Sequence, residues 1–382
     1  MADQFSEMTS VSWFTRIKDA FASLIFGLIL VAVAFPLLFW NEGRAVKTAR
    51  ALSEGAGAVV SVGSDKVDPA DEGRLVHVTA AAAAPDALKD DVFGVSAAAL
   101  RLRRKIEMFQ WREKSETRTE KQVGGSEVKH TVYTYDKQWS SSLVNSSSFR
   151  EPGHANPSAL PYPAQEWTAS KATLGAFSLP DFLLNKLDAF SPVTPPATPP
   201  PGAANLKPAG AYYASGDAAN PQVGDVRVSF EAVSPQTVSV IAKQVGSSFA
   251  PYATKAGRDL AFIVPGAASA EQMFSDAEKS NAVLTWALRG AGFLAMMIGV
   301  AMLFQPLVVV ADFLPFLGWI ANAGRVLVAF IVAAAFSLAT IAVAWIAYRP
   351  LLGGALLAVA LALIVAGVMR HSSAPSASPA KA

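Results

Sequence analysis

Four long apolar runs, none holding a charged side chain, constrain this chain more than any other feature. Ala20 to Trp40 is uncharged over 21 residues, and Arg289 and Asp312 bracket 22 more. Arg325 and Arg349 bracket 23, and Pro350 to Met369 adds 20 before Arg370. A hydrocarbon core about 30 Å thick needs roughly 20 apolar residues at about 1.5 Å of rise each, so every run is long enough to cross once. Only 16% of the chain is charged and 52% is hydrophobic, whereas about a quarter of a soluble domain is charged. The apolar excess is confined to residues 20–40 and 291–369, and the stretch between reads as an ordinary globular sequence. This excludes a simple soluble enzyme and a collagen-like or disordered chain. With no cysteine, a disulfide scaffold, thiol catalysis and cysteine-ligated zinc are excluded too. The net charge of +2 gives no argument for a nucleic-acid partner.

Two details of the runs leave alternatives open. Ala32-Val33-Ala34 resembles a signal-peptide cleavage site, but the apolar stretch continues through Phe35-Pro36-Leu37-Leu38-Phe39-Trp40, which favours a retained anchor. Residues 313–320 are apolar but too short to cross. Pro315 and Trp319 suit an interfacial or re-entrant segment, and a greasy loop is the alternative. An even number of spans puts both termini on one side and residues 41–288 on the other. Near the membrane the terminal side carries five cations and the domain side six, so charge bias does not orient the chain. Pumps place ionisable side chains at membrane depth, and these runs contain none, which argues against transport. Small residues recur every four positions at Gly354, Ala358, Ala362 and Ala366, and again at Ala329, Ala333 and Ser337. Such stripes let helix backbones approach closely where dispersion must drive association, although an alanine-rich chain also produces them by chance.

Between the runs, short β-like segments follow the polar Asn41-Glu42-Gly43-Arg44. They include 58–62, 74–78, and a strand in which Leu100, Leu102, Ile106 and Met108 alternate with Arg101, Arg103, Lys105 and Glu107. That strand runs toward Gly124-Gly125 and returns over 129–139, the pattern of a hairpin. Its distal part, Lys114 to Lys121, is charged at five of eight positions and polar at the rest, and is expected to be wet. A short amphipathic helix is expected over 181–190. Seven prolines in the 17 residues from Pro192 to Pro208 predict an extended linker. Strand patterns resume at 225–230, 237–242 and 259–264. Ser269 and Gln272 then form a capping box for a helix running unbroken into the second span. The phrases Glu72-Gly73-Arg74-Leu75-Val76 and Gly224-Asp225-Val226-Arg227-Val228 are loosely similar and flank the linker; an internal duplication would make two similar lobes.

The search for chemistry is nearly empty. The chain lacks H-E-x-x-H, G-x-S-x-G and a phosphate-binding G-x-x-x-x-G-K. His77, His130, His154 and His371 have no metal-ligand spacing. His77 reads as a structural histidine in a strand, and His154 sits in a turn-rich loop where it is the leading catalytic candidate. No catalytic, cofactor-binding or metal site is assigned. The densest basic cluster is Arg101, Arg103, Arg104 and Lys105. It reads either as a solvated strand face or, if the strand lies near the bilayer, as a contact for lipid phosphates. Trp111 and Trp139 read as core rather than as stacking platforms.

Taken in order, the segments resemble the LUMA (transmembrane protein 43) family. The resemblance rests on Asn41-Glu42-Gly43-Arg44-Ala45, Leu52-Ser53-Glu54-Gly55, Glu72-Gly73-Arg74-Leu75-Val76-His77 and the stretch from Leu102 through Arg103, Arg104, Lys105 and Met108 to Trp111. It continues with Gly153-His154-Ala155-Asn156-Pro157-Ser158-Ala159, Gly224 to Phe230, Thr254-Lys255-Ala256-Gly257, Trp286-Ala287-Leu288-Arg289 and Tyr348-Arg349-Pro350-Leu351. No one motif is diagnostic; their order relative to the four runs is specific. The resemblance implies a four-pass protein with cytoplasmic termini and a lumenal domain. In eukaryotes it implies residence in the endoplasmic reticulum and inner nuclear membrane, self-association, and organisation of membrane protein complexes that include emerin. The family has no established catalytic residues, so none carry over. The alanine-rich composition looks bacterial, in which case the domain faces the periplasm from the inner membrane.

The expected architecture is an α+β, four-span membrane protein. Its parts are a cytoplasmic segment 1–19, spans 20–40, 289–311, 326–348 and 350–369, extracytoplasmic lobes 41–190 and 209–288 about a linker 191–208, an interfacial segment 312–325 and a disordered tail 370–382. The expected function is a self-associating, non-enzymatic scaffold whose partners are membrane lipids, further copies and other membrane proteins. A membrane-anchored enzyme acting on lipid or envelope polymer and a transporter or channel component are the alternatives.

Overall fold

The computed structural model describes residues 3–351 and 353–355. Its chain divides into two compact units. The first comprises residues 1–10, 51–120 and 128–278, and the second 11–50, 121–127 and 279–382.

The first unit is built on two main sheets, antiparallel except where Val60–Ser61 joins the second in parallel. One is ordered β1 (Asp3–Val11), β4 (Glu127–Ser140), β3 (Arg101–Lys121) and β5 (Val226–Val233), followed by the short strands Tyr212–Ala214 and Lys207–Pro208. In the other, β2 (Leu75–Ala83) lies beside β6 (Thr237–Val245). Every second residue of β3 from Leu102 to Gln110 is buried, the two-residue period expected of a strand with one covered face. β5 pairs with β3 from Val226↔Met108 to Val233↔Arg101, and β6 pairs with β2 from Thr237↔Ala81 to Lys243↔Leu75. Val76, Val78, Leu174, Phe177, Val238 and Val240 form the centre of one core, and Phe93, Ile106, Tyr213, Val228 and Phe230 that of another.

These pairings correct the expectation of two lobes. β2 and β3 precede the proline-rich stretch and β5 and β6 follow it, yet each sheet takes strands from both sides, so 41–190 and 209–288 do not fold separately. The linker itself is docked. Ser191–Val193 pairs with β5, Ala203 and Leu206 are buried, and the Tyr213 hydroxyl donates to the Pro196 carbonyl at 2.7 Å. The expected helix over 181–190 is one turn, Asp181–Leu184. Beyond it the carbonyls of Asn185 and Leu187 accept from Arg101 instead of continuing a helical ladder. Residues 1–19, read from sequence as a segment across the membrane from 41–288, contain β1. Its place in the sheet beside β4 puts residues 3–11 with that domain.

The second unit is helical. α1 (Trp13–Ala58), α2 (Ala270–Leu303) and α4 (Pro315–Tyr348) are the three helices long and apolar enough to cross a membrane among the described residues. α1 runs on well past Trp40, where the sequence suggests a break. Buried Ala45, Val46, Ala51 and Leu52 give that extension an apolar face, and the β-like run 58–62 shrinks to Val60–Ser61. α2 begins as expected, the Ser269 hydroxyl accepting from the Gln272 amide at 3.2 Å. It ends at Leu303, and a separate α3 (Gln305–Ala311) follows, so the expected span 289–311 is broken. Only 312–314 separate α3 from α4; most of the expected interfacial segment 312–325 is the start of α4. Ala329, Ala333 and Ser337 are buried, the first two packing with Ala34, Met296 and Val300. α1 and α2 approach where a Cβ on Gly27 would stand 2.7 Å from the Gly299 carbonyl oxygen, a separation only glycine permits. Gly354 has open space around it; Ala358, Ala362 and Ala366, with most of the fourth run, lie outside the described residues.

Candidate functional site

The basic cluster on β3 divides by strand parity. Arg104 shares the buried face with Leu102 and Ile106 and is 2% exposed. Its guanidinium forks onto Asp90 at 2.8 and 3.0 Å and also donates to the Pro163 carbonyl and Gln165. Asp90 in turn accepts from the amides of Val92 and Phe93, so the pair fixes the loop beneath the sheet. Arg101 lies on the other face, with Arg103, but is buried there beside Phe190 and reaches Glu166 at 2.6 Å and the Leu187 carbonyl at 2.6 Å. Arg103 and Lys105 occupy the opposite face and pair with Glu231 on β5. Burial pushes the Glu231 carboxyl up, but Arg103 and Lys105 more than offset this and hold it below its ordinary value. All four cations are therefore engaged within the sheet, two of them buried.

His154 is buried by aromatic rings. It stacks on Tyr135 at 3.9 Å, meets Trp111 edge-on at 4.6 Å, and its Nε2 lies 3.1 Å from the Asp3 carboxylate. The Tyr135 hydroxyl donates to Glu113 at 2.6 Å; burial first, then this carboxylate, pushes its pKa up to about 12. Asn156 accepts from the Trp111 amide and donates to the Trp111 carbonyl. A surface cavity of about 480 Å³ adjoins this loop, bounded by Leu143, Val144, Asn145, Ala155, Asn156 and Pro157, and no acid or base lines it. Asp3 supplies a carboxylate within reach of His154, but that histidine is closed in by rings and does not open on the cavity. His77 is held by the Ala268 carbonyl at 2.9 Å and by Ser61. Trp111 and Trp139 are both half-buried, Trp139 packing on Phe109 with Arg227 over its ring. Among the described residues no group of three His, Cys, Asp or Glu side chains can hold a metal ion.

Several motifs separated in sequence meet as joints. In the first unit the Glu54 carboxylate accepts from the Lys255 amide, and Glu72 accepts from the Gly246 amide. In the second unit Glu42 is 2% exposed; Arg289 grips it through two bonds of 2.6 and 2.8 Å, and the Trp345 indole donates to it at 2.8 Å. Asn41 donates to the Thr285 carbonyl, Arg44 to Asn281 and Thr285, and Arg50 to the Tyr348 carbonyl. Gly43 leaves room for the Tyr348 ring, which a Cβ would strike at 2.6 Å. Burying such a pair at the edge of apolar helices costs desolvation, which these hydrogen bonds offset. A second joint surrounds Asp312, fully buried between Arg16 and Lys121, with Arg16 also on Glu127. In the sequence Glu42 and Arg289 stand in motifs of the family resemblance and Asp312 as the boundary of an apolar run, with no partner indicated for any of them. The signal that can find them is that each is the first charge met at the end of such a run.

The family model described as Transmembrane protein 43 matches residues 108–350. Transmembrane protein 43 of Rattus norvegicus is 37% identical over 362 residues, covering 92% of this chain and 90% of its own. That of Homo sapiens is 37% identical over 361 residues, covering 91% and 90%. The homolog of Drosophila melanogaster is 31% identical over 345 residues, covering 87% and 90%. No solved structure matches the chain. The joints around Glu42, His154 and Arg104 fall at motifs that carry the resemblance, and the chain belongs to the Transmembrane protein 43 family.

Proposed function

We propose that this protein is a non-enzymatic, self-associating membrane scaffold that organises lipids and membrane proteins. The observation that carries this reading is the fate of the candidate groups: His77, His154, Arg101 and Arg104 are each buried against an intramolecular partner. Side chains used this way hold a shape and are not free for acid–base work on a substrate. The apolar helices supply the surface for association, since Leu327, Phe330, Ile331 and Leu338 on α4 face outward. In a membrane these contact lipid or a second copy. The fourth apolar run, Pro350 to Met369, adds to the membrane anchor, and the body on residues 59–120 and 128–278 is the recruiting part outside the hydrocarbon. The alanine-rich composition supports a bacterial inner membrane with that body in the periplasm; the animal relatives support the endoplasmic reticulum and nuclear membrane alternative.

Light scattering of detergent-solubilised protein tests the reading. The expected result is a particle holding more than one 40.1 kDa chain. A strict monomer at all concentrations overturns it.

A further inference from the structure

Where α1, α2 and α4 meet around Glu42, the chain carries six cations and one acid. Arg44, Lys47, Arg50, Lys279, Arg289 and Arg349 fall within residues 41–50, 279–289 and 345–351, and Glu42 is the only carboxylate in those stretches. Aromatic rings mark the same level. Asn41, next to Trp40, donates to the carbonyl of Thr285, next to Trp286, at 3.0 Å, and Tyr348 packs on Phe39 at 5.3 Å. Trp40 and Trp286 are 57% and 69% exposed. Tryptophans at the ends of apolar helices collect at the headgroup level of a bilayer.

The positive charge is unevenly used. Glu42 is taken by Arg289 through two hydrogen bonds, and Arg44 is held by Asn41, Asn281 and Thr285. Lys47, Arg50 and Arg349 are exposed, and no ion pair among the described residues includes any of the three. They converge on Tyr348. Arg50 donates to its carbonyl at 2.6 Å, Arg349 is the next residue of the chain, and Lys47 lies one turn from Gly43 on the face of α1 where the Tyr348 ring rests. Arg50 alone satisfies that carbonyl and answers the negative end of α4. Lys47 and Arg349 exceed what the helix end needs. Three like charges gathered without an acid repel one another, and an anion seated among them relieves that repulsion.

We propose that Lys47, Arg50 and Arg349 bind the phosphate-bearing headgroup of an anionic phospholipid, with Trp40 and Trp286 at the same depth in the headgroup region. The occupant is a lipid and not a soluble anion because the three cations stand beside helices long and apolar enough to cross a membrane, where exposed Val343 and Ile346 on α4 offer acyl chains a surface. Basic clusters at the ends of spanning helices are suited to such headgroups. The inference deepens the lipid part of the proposed function and rests on it, but needs no self-association.

The intact chain in non-ionic detergent is titrated with phosphatidylglycerol, phosphatidylcholine or inorganic phosphate, and bound molecules are counted by native mass spectrometry. The expected result is a phosphatidylglycerol bound in preference to phosphatidylcholine and not displaced by millimolar phosphate. Lys47→Gln with Arg349→Gln, which leaves the Arg50–Tyr348 bond in place, is expected to weaken that binding by about fivefold per cation removed. Lys47→Arg with Arg349→Lys keeps the charges and is expected to keep the binding. Lys66→Gln with Lys89→Gln, which removes two exposed cations elsewhere, is expected to leave it unchanged. Equal binding of the two lipids, displacement by phosphate, or undiminished binding in the glutamine pair at 47 and 349 overturns the proposal. Loss of binding in the charge-keeping pair, or an equal loss in the pair at 66 and 89, overturns it too. The same spectra give subunit number, so failure of the association reading is seen separately.

Discussion

Asn156 pairs its side-chain amide with both backbone groups of Trp111, accepting from the N–H at 2.7 Å and donating to the C=O at 2.9 Å. One side chain thereby supplies what a neighbouring strand would, and a further bond to the Val144 carbonyl ties in the loop. Asn156→Asp keeps the acceptor and removes both donors. Leaving backbone carbonyls unpaired costs about 1–3 kcal/mol. The expected outcome is a lower denaturation midpoint for this variant, whereas Ser158→Ala in the same exposed loop is neutral.

Arg104 and Asp90 form a pair that is 1% and 0% exposed. Breaking such a pair strands a buried charge and costs about 3–5 kcal/mol, while replacing both partners by apolar groups is often tolerated. Asp90→Asn is therefore expected to destabilise the protein strongly in a urea titration. Arg104→Met combined with Asp90→Leu is expected to recover much of the loss. Equal stability of Asp90→Asn and the parent contradicts the structural role assigned to Arg104.

Burial, and then the Glu113 carboxylate, raise the folded pKa of Tyr135 from 10.0 to about 12. A group whose pKa rises on folding contributes stability that is complete below its unfolded value and is lost as pH climbs through the folded one. Stability is thus expected to fall between pH 10 and 12, and Tyr135→Phe to flatten that fall. Thermal unfolding across this range, with tyrosinate absorbance as a second readout, checks both statements.

β1 lies beside β4 in the sheet, and Asp3 and Glu7 meet His154 and Arg150. Glu7→Lys puts like charges together beside Arg150 and is expected to loosen β1, read as faster amide exchange over residues 3–11, while Arg150→Glu in the same chain restores protection. Exchange over 3–11 that is unchanged in Glu7→Lys contradicts the pairing of Glu7 with Arg150.

The apolar helices were legible because hydrocarbon thickness imposes length and composition together, and the capping box at Ser269 located the start of α2. The hairpin was legible because Gly124 and Gly125, at φ +89° and +81°, interrupt two alternating runs. Arg104 carries the same parity as Leu102 and Ile106, so its burial was implicit in the alternation that first marked the strand. Other features depend on partners distant in sequence. Asn156 acts on a residue 45 positions away, Glu42 on Arg289, and Asp312 on Arg16. The polar strand β1 has little alternation of its own and is defined by the sheet it joins. The proline-rich stretch is extended as its composition demands, but only the completed sheet shows that it is docked.

Subunit number in a bilayer tests the central claim most directly. The intact chain carries one fluorophore on a single introduced cysteine and is diluted into liposomes, and photobleaching steps are counted per particle. A self-associating scaffold predicts a step distribution requiring more than one chain, independent of further dilution with lipid. Single-step bleaching throughout contradicts the account.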